Sequence, residues 1–167
     1  AILTQNTAWK NVEKAIHQLK ANHLLSIVAL REIPENFLAE QIRPSGYFNQ
    51  KARKIKAFID FVDNHYCGSL SAMEKVETAI LRKQLLSIHG IGPETADSIL
   101  LYAYARVEMV IDAYTIRILR HHGYMHSLPD YATAKSYCER HLPRSLVDYQ
   151  EFHALMVEHA KRLRAQC

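Results

Sequence analysis

The sequence predicts an all-α protein, on three observations. Apolar residues recur at helical spacing through most of the chain, no segment reads as a convincing strand, and glycine and proline fall between the apolar runs as stops and turns. A length of 167 residues, 49% of them hydrophobic, allows one sizeable core or two small ones.

The elements follow in order. Trp9, Val12, Ala15, Ile16 and Leu19 form one apolar stripe. Ala52, Ile55, Phe58, Ile59 and Val62 form another, with basic Lys51, Arg53, Lys54 and Lys56 among them, and Gly68 stops that helix. Ile80, Leu81, Leu85 and Ile88 predict the next helix, and Ala96, Ile99, Leu100 and Ala103 give the i, i+3, i+4, i+7 set of its successor. Val107 to Ile111 reads as a brief extended stretch that delivers Asp112 to the start of a helical run, Ala113 to Arg120. Turns at Gly123, Pro129 and Pro143 precede a last helix patterned by Leu146, Tyr149, Phe152, Met156, Ala160 and Leu163.

The segment Gly90-Ile91-Gly92-Pro93 is the most informative. Two apolar helical runs flank it, and the glycines are expected to take positive φ and let backbone approach a ligand closely. Pro93 suits the first helical position, where its missing N–H costs nothing. Such a turn can point backbone N–H groups at an anion, and a DNA phosphate is the natural occupant. By itself it is also an ordinary glycine-ended helix followed by a proline-started one. Asp112 in turn reads by position as an N-cap, a role compatible with chemistry because a cap locks a carboxylate's orientation.

Leu85 to Ala105, together with Val110-Ile111-Asp112-Ala113-Tyr114-Thr115-Ile116-Arg117, resembles the helix-hairpin-helix and Gly/Pro-Asp signature of the endonuclease III superfamily of DNA base-excision glycosylases. Ile2 to Trp9 and Ile42 to Ala52 are also similar to family segments, so the resemblance spans almost the whole chain. It implies two helical lobes with an active cleft between them: residues 1–107 as a helical barrel lobe holding the helix-hairpin-helix at about 77–105, and 108–167 as a second lobe. Family members carry more sequence before this point, and the chain opens on Ala1 without a methionine. The second lobe is therefore expected to be completed by further N-terminal residues.

The resemblance also implies roles. Asp112 becomes the catalytic acid, because a fixed carboxylate stabilises the oxocarbenium character that develops as an N-glycosidic bond breaks. Glu94 occupies the place where bifunctional members carry a Schiff-base lysine, so the expected enzyme is monofunctional and leaves an abasic site. Trp9, a core residue by periodicity alone, becomes with Glu94 part of the base pocket. An electron-rich ring there would stack on a cationic alkylated purine such as 3-methyladenine. Gln5 and Tyr47 match positions that wedge into the duplex, with Gly46 allowing the turn that exposes Tyr47. Gly90, Ile91, Gly92 and Thr95 are the expected phosphate-binding set, and Lys51, His89 and Lys161 are possible DNA contacts. The alternatives are a monofunctional glycosylase for uracil, mismatched thymine or adenine, and a catalytically silent helix-hairpin-helix DNA-binding module.

Composition sets outer bounds. A net charge of +4 agrees with a polyanionic partner, double-stranded DNA, without demanding one. No apolar run approaches the roughly 18 residues of a membrane span, and no signal-peptide pattern opens the chain. A monomeric cytoplasmic protein is therefore expected. Cys67, Cys138 and Cys167 are too few and too scattered for a disulfide framework or a four-cysteine iron–sulfur site. Either the chain resembles the cluster-free 3-methyladenine branch or further ligands lie outside it, and no cofactor is expected of the chain as it stands. The two upstream cysteines should pack as small apolar residues. Among the ten histidines, His121 and His122 are adjacent and His153 and His159 are six apart, spacings that place no two metal ligands on one helix face.

Overall fold

A computed structural model describes residues 1–125 and 127–165; Cys167 lies outside the described residues. Among these the regular elements are helices, with no strand. The chain divides into two compact units, Ala1–Thr95 and Ala96–Cys167.

In the first unit, α1 (Trp9–Ala21) buries Val12, Ala15 and Leu19. Trp9 is 59% exposed and Ile16 lies at the surface, so the buried stripe is narrower than the periodicity suggests. Ser26 caps α2 (Ile27–Glu32) by accepting the Ala29 N–H. There follow α3 (Glu35–Gln41), a 3₁₀ turn (Arg43–Ser45) and the long α4 (Phe48–Tyr66). Lys51, Ala52, Ile55, Ile59 and Val62 face inward from α4. Leu38, Ile42, Ala52 and Ile59 sit at the centre of the core, packed with Ala15 and Leu19 of α1. The short α5 (Leu70–Met73) leads to α6 (Thr78–Ser87), whose N-cap Glu77 accepts the Ile80 N–H.

The second unit takes most of α7 (Pro93–Ala103), then α8 (Ala113–His121), α9 (Tyr131–His141) and α10 (Leu146–Ala165). Its core gathers Leu101, Met109, Ile111, Leu119, Cys138 and Tyr149. Residues 105–112 run without regular structure, and Met109, Val110 and Ile111 are fully buried in them. That apolar anchor fixes where Asp112 emerges.

The division falls inside α7, not at the 107/108 boundary expected from the sequence. The side-chain bonds of the helix part at the same place. Thr95 is hydrogen-bonded to Gln5 of the first unit, whereas the fully buried Asp97 carboxylate accepts from Tyr131 (2.7 Å) and Lys135 (2.9 Å) of α9. Lys135 also donates to Glu108 at 2.5 Å, so a charged network ties α7, the irregular segment and α9 together. Breaking one partner would strand a buried charge.

Candidate active site

The glycine turn is a closed, braced structure. Ile88 N–H returns to Leu85 O at 3.1 Å and Ile91 N–H to Ile88 O at 3.1 Å, closing the end of α6 into the turn. Ile91 is therefore an anchor, with its side chain in the core and its N–H already spent; it is no phosphate donor in this conformation. Gly90 takes φ +79°, as expected, and a side chain there would collide with the alkyl stem of Lys54. Gly92 departs from expectation. Its φ is not positive and open space surrounds it, so its contribution is an unobstructed approach to the start of α7.

Gln5 belongs to the turn. Its amide Nε2 donates to Gly90 O (3.1 Å) and Thr95 Oγ1 (2.9 Å), and its Oε1 accepts from Lys54 Nζ at 2.6 Å. Both ends of the side chain are committed. In this conformation Gln5 braces the hairpin instead of standing ready as a wedge. Lys54 thereby sets a positive charge beside the turn, and its alkyl stem covers Gly90.

Lys51, expected as a possible DNA contact, does not reach the surface. It is 1% exposed, and its Nζ donates to Leu3 O (2.9 Å) and Ser45 O (2.7 Å). Burial, with the charge of Lys54 adding to it, lowers its pKa to about 8. The reason is helical register: Lys51 shares the inward face with Ile55 and Ile59, whereas Lys54 falls a turn away toward the hairpin. Its buried bonds hold the N-terminal segment against the turn that presents Tyr47.

Tyr47 itself is 61% exposed and adopts φ +47°, in the left-handed region that a bulky residue enters only at a cost. It follows Gly46, also at positive φ. Two successive positive-φ residues place an aromatic ring in solvent, where core packing would have preferred it inside. Trp9 opens α1 just as exposed, so it is not the core residue that its stripe implies. Glu94 lies in the first turn of α7 and is exposed. His89 in the hairpin and Lys161 on α10 are likewise exposed, and nothing in their surroundings assigns them a task.

In the second unit Asp112 is both cap and buried acid. It is 8% exposed, and its Oδ1 accepts from Thr115 N–H at 2.7 Å and from Thr115 Oγ1 at 2.8 Å, closing the start of α8. Oδ2 faces His153 Nε2 of α10 at 3.7 Å. Burial alone would raise the carboxyl's pKa. The His153 interaction and the two Thr115 hydrogen bonds outweigh it and hold Asp112 below the usual carboxylate range. Asp112 is therefore an anion at neutral pH in a nearly dry site.

His153 is not legible from its own sequence neighbourhood, because its significance arises from α10 packing beside α8. Its Nδ1 meets the Tyr102 hydroxyl of α7 at 2.7 Å. A second histidine pairing is hidden for the same reason: His122 caps the end of α8 and His159 lies on α10, yet their Nε2 atoms lie 3.2 Å apart. Among the described residues no group of three or more histidine, cysteine or acidic side chains is placed to hold a metal ion. Cys138 is buried, with its thiol pushed up to about 11 by that burial and by Glu139. Cys67, expected to pack as an apolar residue, is instead exposed in the left-handed position that ends α4. A concavity of about 630 Å³ on α8, lined by Ile116, Arg117, Arg120 and Met125 among others, does not include Asp112.

Residues 1–144 match the model of the HhH-GPD superfamily of base excision DNA repair proteins. The chain belongs to that superfamily. A Methanocaldococcus jannaschii protein provisionally named DNA repair glycosylase MJ1434 is 48% identical over 164 residues, 97% of this chain and 74% of that protein. Endonuclease III of Sulfolobus acidocaldarius is 27% identical over 96% of this chain and 70% of its own length. The crystal structure of the H. pylori 3-methyladenine DNA glycosylase MagIII, bound to 1,N6-ethenoadenine, superposes with a TM-score of 0.84 at 28% identity, over 96% of this chain and 81% of that one. The HhH-GPD chain is a DNA repair glycosylase with the superfamily's helical fold. No helix among its described residues is long and apolar enough to cross a membrane.

Proposed function

We propose that this HhH-GPD protein binds double-stranded DNA and hydrolyses the N-glycosidic bond of an alkylated purine, leaving an abasic site without cutting the strand. The observation that carries the reading is Asp112: a carboxylate kept ionised in a nearly dry site and locked in direction by its cap. As the glycosidic bond breaks, the electron pair leaves with the base and positive charge grows on the sugar. A fixed anion stabilises that charge more strongly here than it could in water. Water then adds to C1′, and its proton passes to the carboxylate or to solvent. A base alkylated at N3 or N7 already carries positive charge and departs neutral, so the chain needs to supply little more than this.

Three further features support the reading. The carboxylate Glu94 stands in the position where bifunctional relatives carry lysine, and a carboxylate forms no Schiff base. Trp9 is exposed, and stacking on its ring favours a cationic base over a neutral one. The structural neighbour MagIII is itself a 3-methyladenine glycosylase. At the DNA, the start of α7 and the Lys54 ammonium offer a phosphate site, while the ring of Tyr47 fills the gap left by the extruded nucleotide.

The test is a panel of duplexes carrying an N3- or N7-methylated purine, uracil, thymine opposite guanine, or adenine opposite an oxidised guanine. Hot alkali reveals abasic sites. Alkali-labile product from the methylated purines, reduced at least about tenfold in a folded Trp9→Ala variant, is the expected result. Product from the other duplexes alone would reassign the substrate, and tight binding with no product from any would make the chain a silent DNA-binding module.

A further inference from the structure

We infer that His153, held by Tyr102, is a positioning residue for Asp112, so that the three side chains form a relay within the second unit. The inference rests on the proposal that Asp112 is the catalytic acid. With Oδ1 spent on Thr115, the protein group facing Oδ2 is His153 Nε2 at 3.7 Å. That is ion-pair range, longer than a hydrogen bond, and a ring movement of about an ångström would bring it within hydrogen-bond distance. The far side of the ring is fixed: the Tyr102 hydroxyl lies 2.7 Å from Nδ1, with the two rings 5.8 Å apart between centroids.

Tyr102 decides which nitrogen carries the proton. If Nδ1 held it in the neutral ring, the Nε2 lone pair would face a carboxylate, which is repulsive. If instead the tyrosine O–H donates to Nδ1, Nε2–H points at Asp112 Oδ2, and all three groups are satisfied. Among the described residues, the ionisable groups that contact the ring are Tyr102 from α7 and Asp112 from the start of α8. On α10 its i±3 and i±4 neighbours Tyr149, Gln150, Met156 and Val157 carry no charge at neutral pH. His153 is itself largely shielded, with 19% of its side chain exposed.

A neutral His153 donates to Asp112 while leaving the carboxylate its full charge. A protonated one would cancel much of that charge. Glutamine at 153 can place an amide N–H where Nε2–H stands. In single-turnover excision of a methylated purine, His153→Ala should slow base release about ten- to a hundredfold, the loss expected when a buried carboxylate gives up a charge-assisted hydrogen bond. His153→Gln should recover most of that rate.

A second measurement does not depend on any activity. NMR of the His153 imidazole should show the Nε2–H tautomer in the parent, and loss of that preference in Asp112→Asn, where the anion is gone. If the parent releases no base from any duplex, the glycosylase reading fails and the tautomer measurement alone decides the relay. The same His153 tautomer in parent and Asp112→Asn, an unaltered rate in folded His153→Ala, or a rate in His153→Gln no better than in His153→Ala would each overturn the relay.

Discussion

Because Oδ1 of Asp112 accepts both Thr115 hydrogen bonds, its structural and chemical roles separate by substitution. Asparagine is as good an N-cap as aspartate. Asp112→Asn is therefore expected to melt within a degree or two of the parent and to lose at least about a hundredfold in base release. Asp112→Ala loses the cap as well and should be about 1 kcal/mol less stable; equal activity in parent and Asp112→Asn would remove the acid from the reaction. Lys51 offers a pH test. The folded chain releases its proton near pH 8, whereas the unfolded chain holds it to about 10.4. Between those values the unfolded state binds more protons, so this residue's contribution makes the fold more stable as pH rises from about 8 to 10. Denaturant titrations across that window should show the parent gaining on Lys51→Met; parallel curves would mean that Lys51 is not buried as a cation. Asp112 can be singled out from sequence because an acid before a helical run is conspicuous. Lys51 cannot be separated from Lys54 by composition, because only the register of α4 tells the inward lysine from the one at the hairpin.

The hairpin shows what periodicity carries and where it stops. Both flanking helices, and Pro93 at the start of α7, follow from apolar spacing and proline's fixed φ. The extra bracing does not, since Gln5 and Lys54 lie 85 and 36 positions before Gly90 and reach it only in the folded unit. Hydrophobicity places Trp9 and Cys67 in the interior, yet both stand outside, the usual failure of a one-dimensional pattern at helix ends. Gly90→Ala should be destabilised by at least about 1 kcal/mol from its φ of +79° and from collision with Lys54. Gln5→Ala removes two donations into the hairpin and should weaken DNA binding with little change in the rate of base release. If binding to duplex by Gly90→Ala and Gln5→Ala matches the parent, the hairpin is not the phosphate grip.

Across the molecule, the groups assigned to holding DNA and the flipped base lie within residues 1–95: the hairpin, Lys54, Trp9, Tyr47 and Glu94. The acid and its relay lie within 96–167. Substitutions in the first unit should therefore act mainly on affinity, and those at Asp112, His153 and Tyr102 mainly on the rate constant for base release. The all-helical class is readable because helix periodicity is local. The unit boundary is not, because it depends on which residues Thr95 and Asp97 bond to, a matter of tertiary partners. The most direct measurement uses one duplex with a single methylated purine, incubated with enzyme in excess, with and without borohydride. The strand is scored before and after hot alkali. The account predicts an intact strand that breaks only after alkali and no protein–DNA adduct. A strand broken before alkali, with a borohydride-trapped adduct, would contradict it.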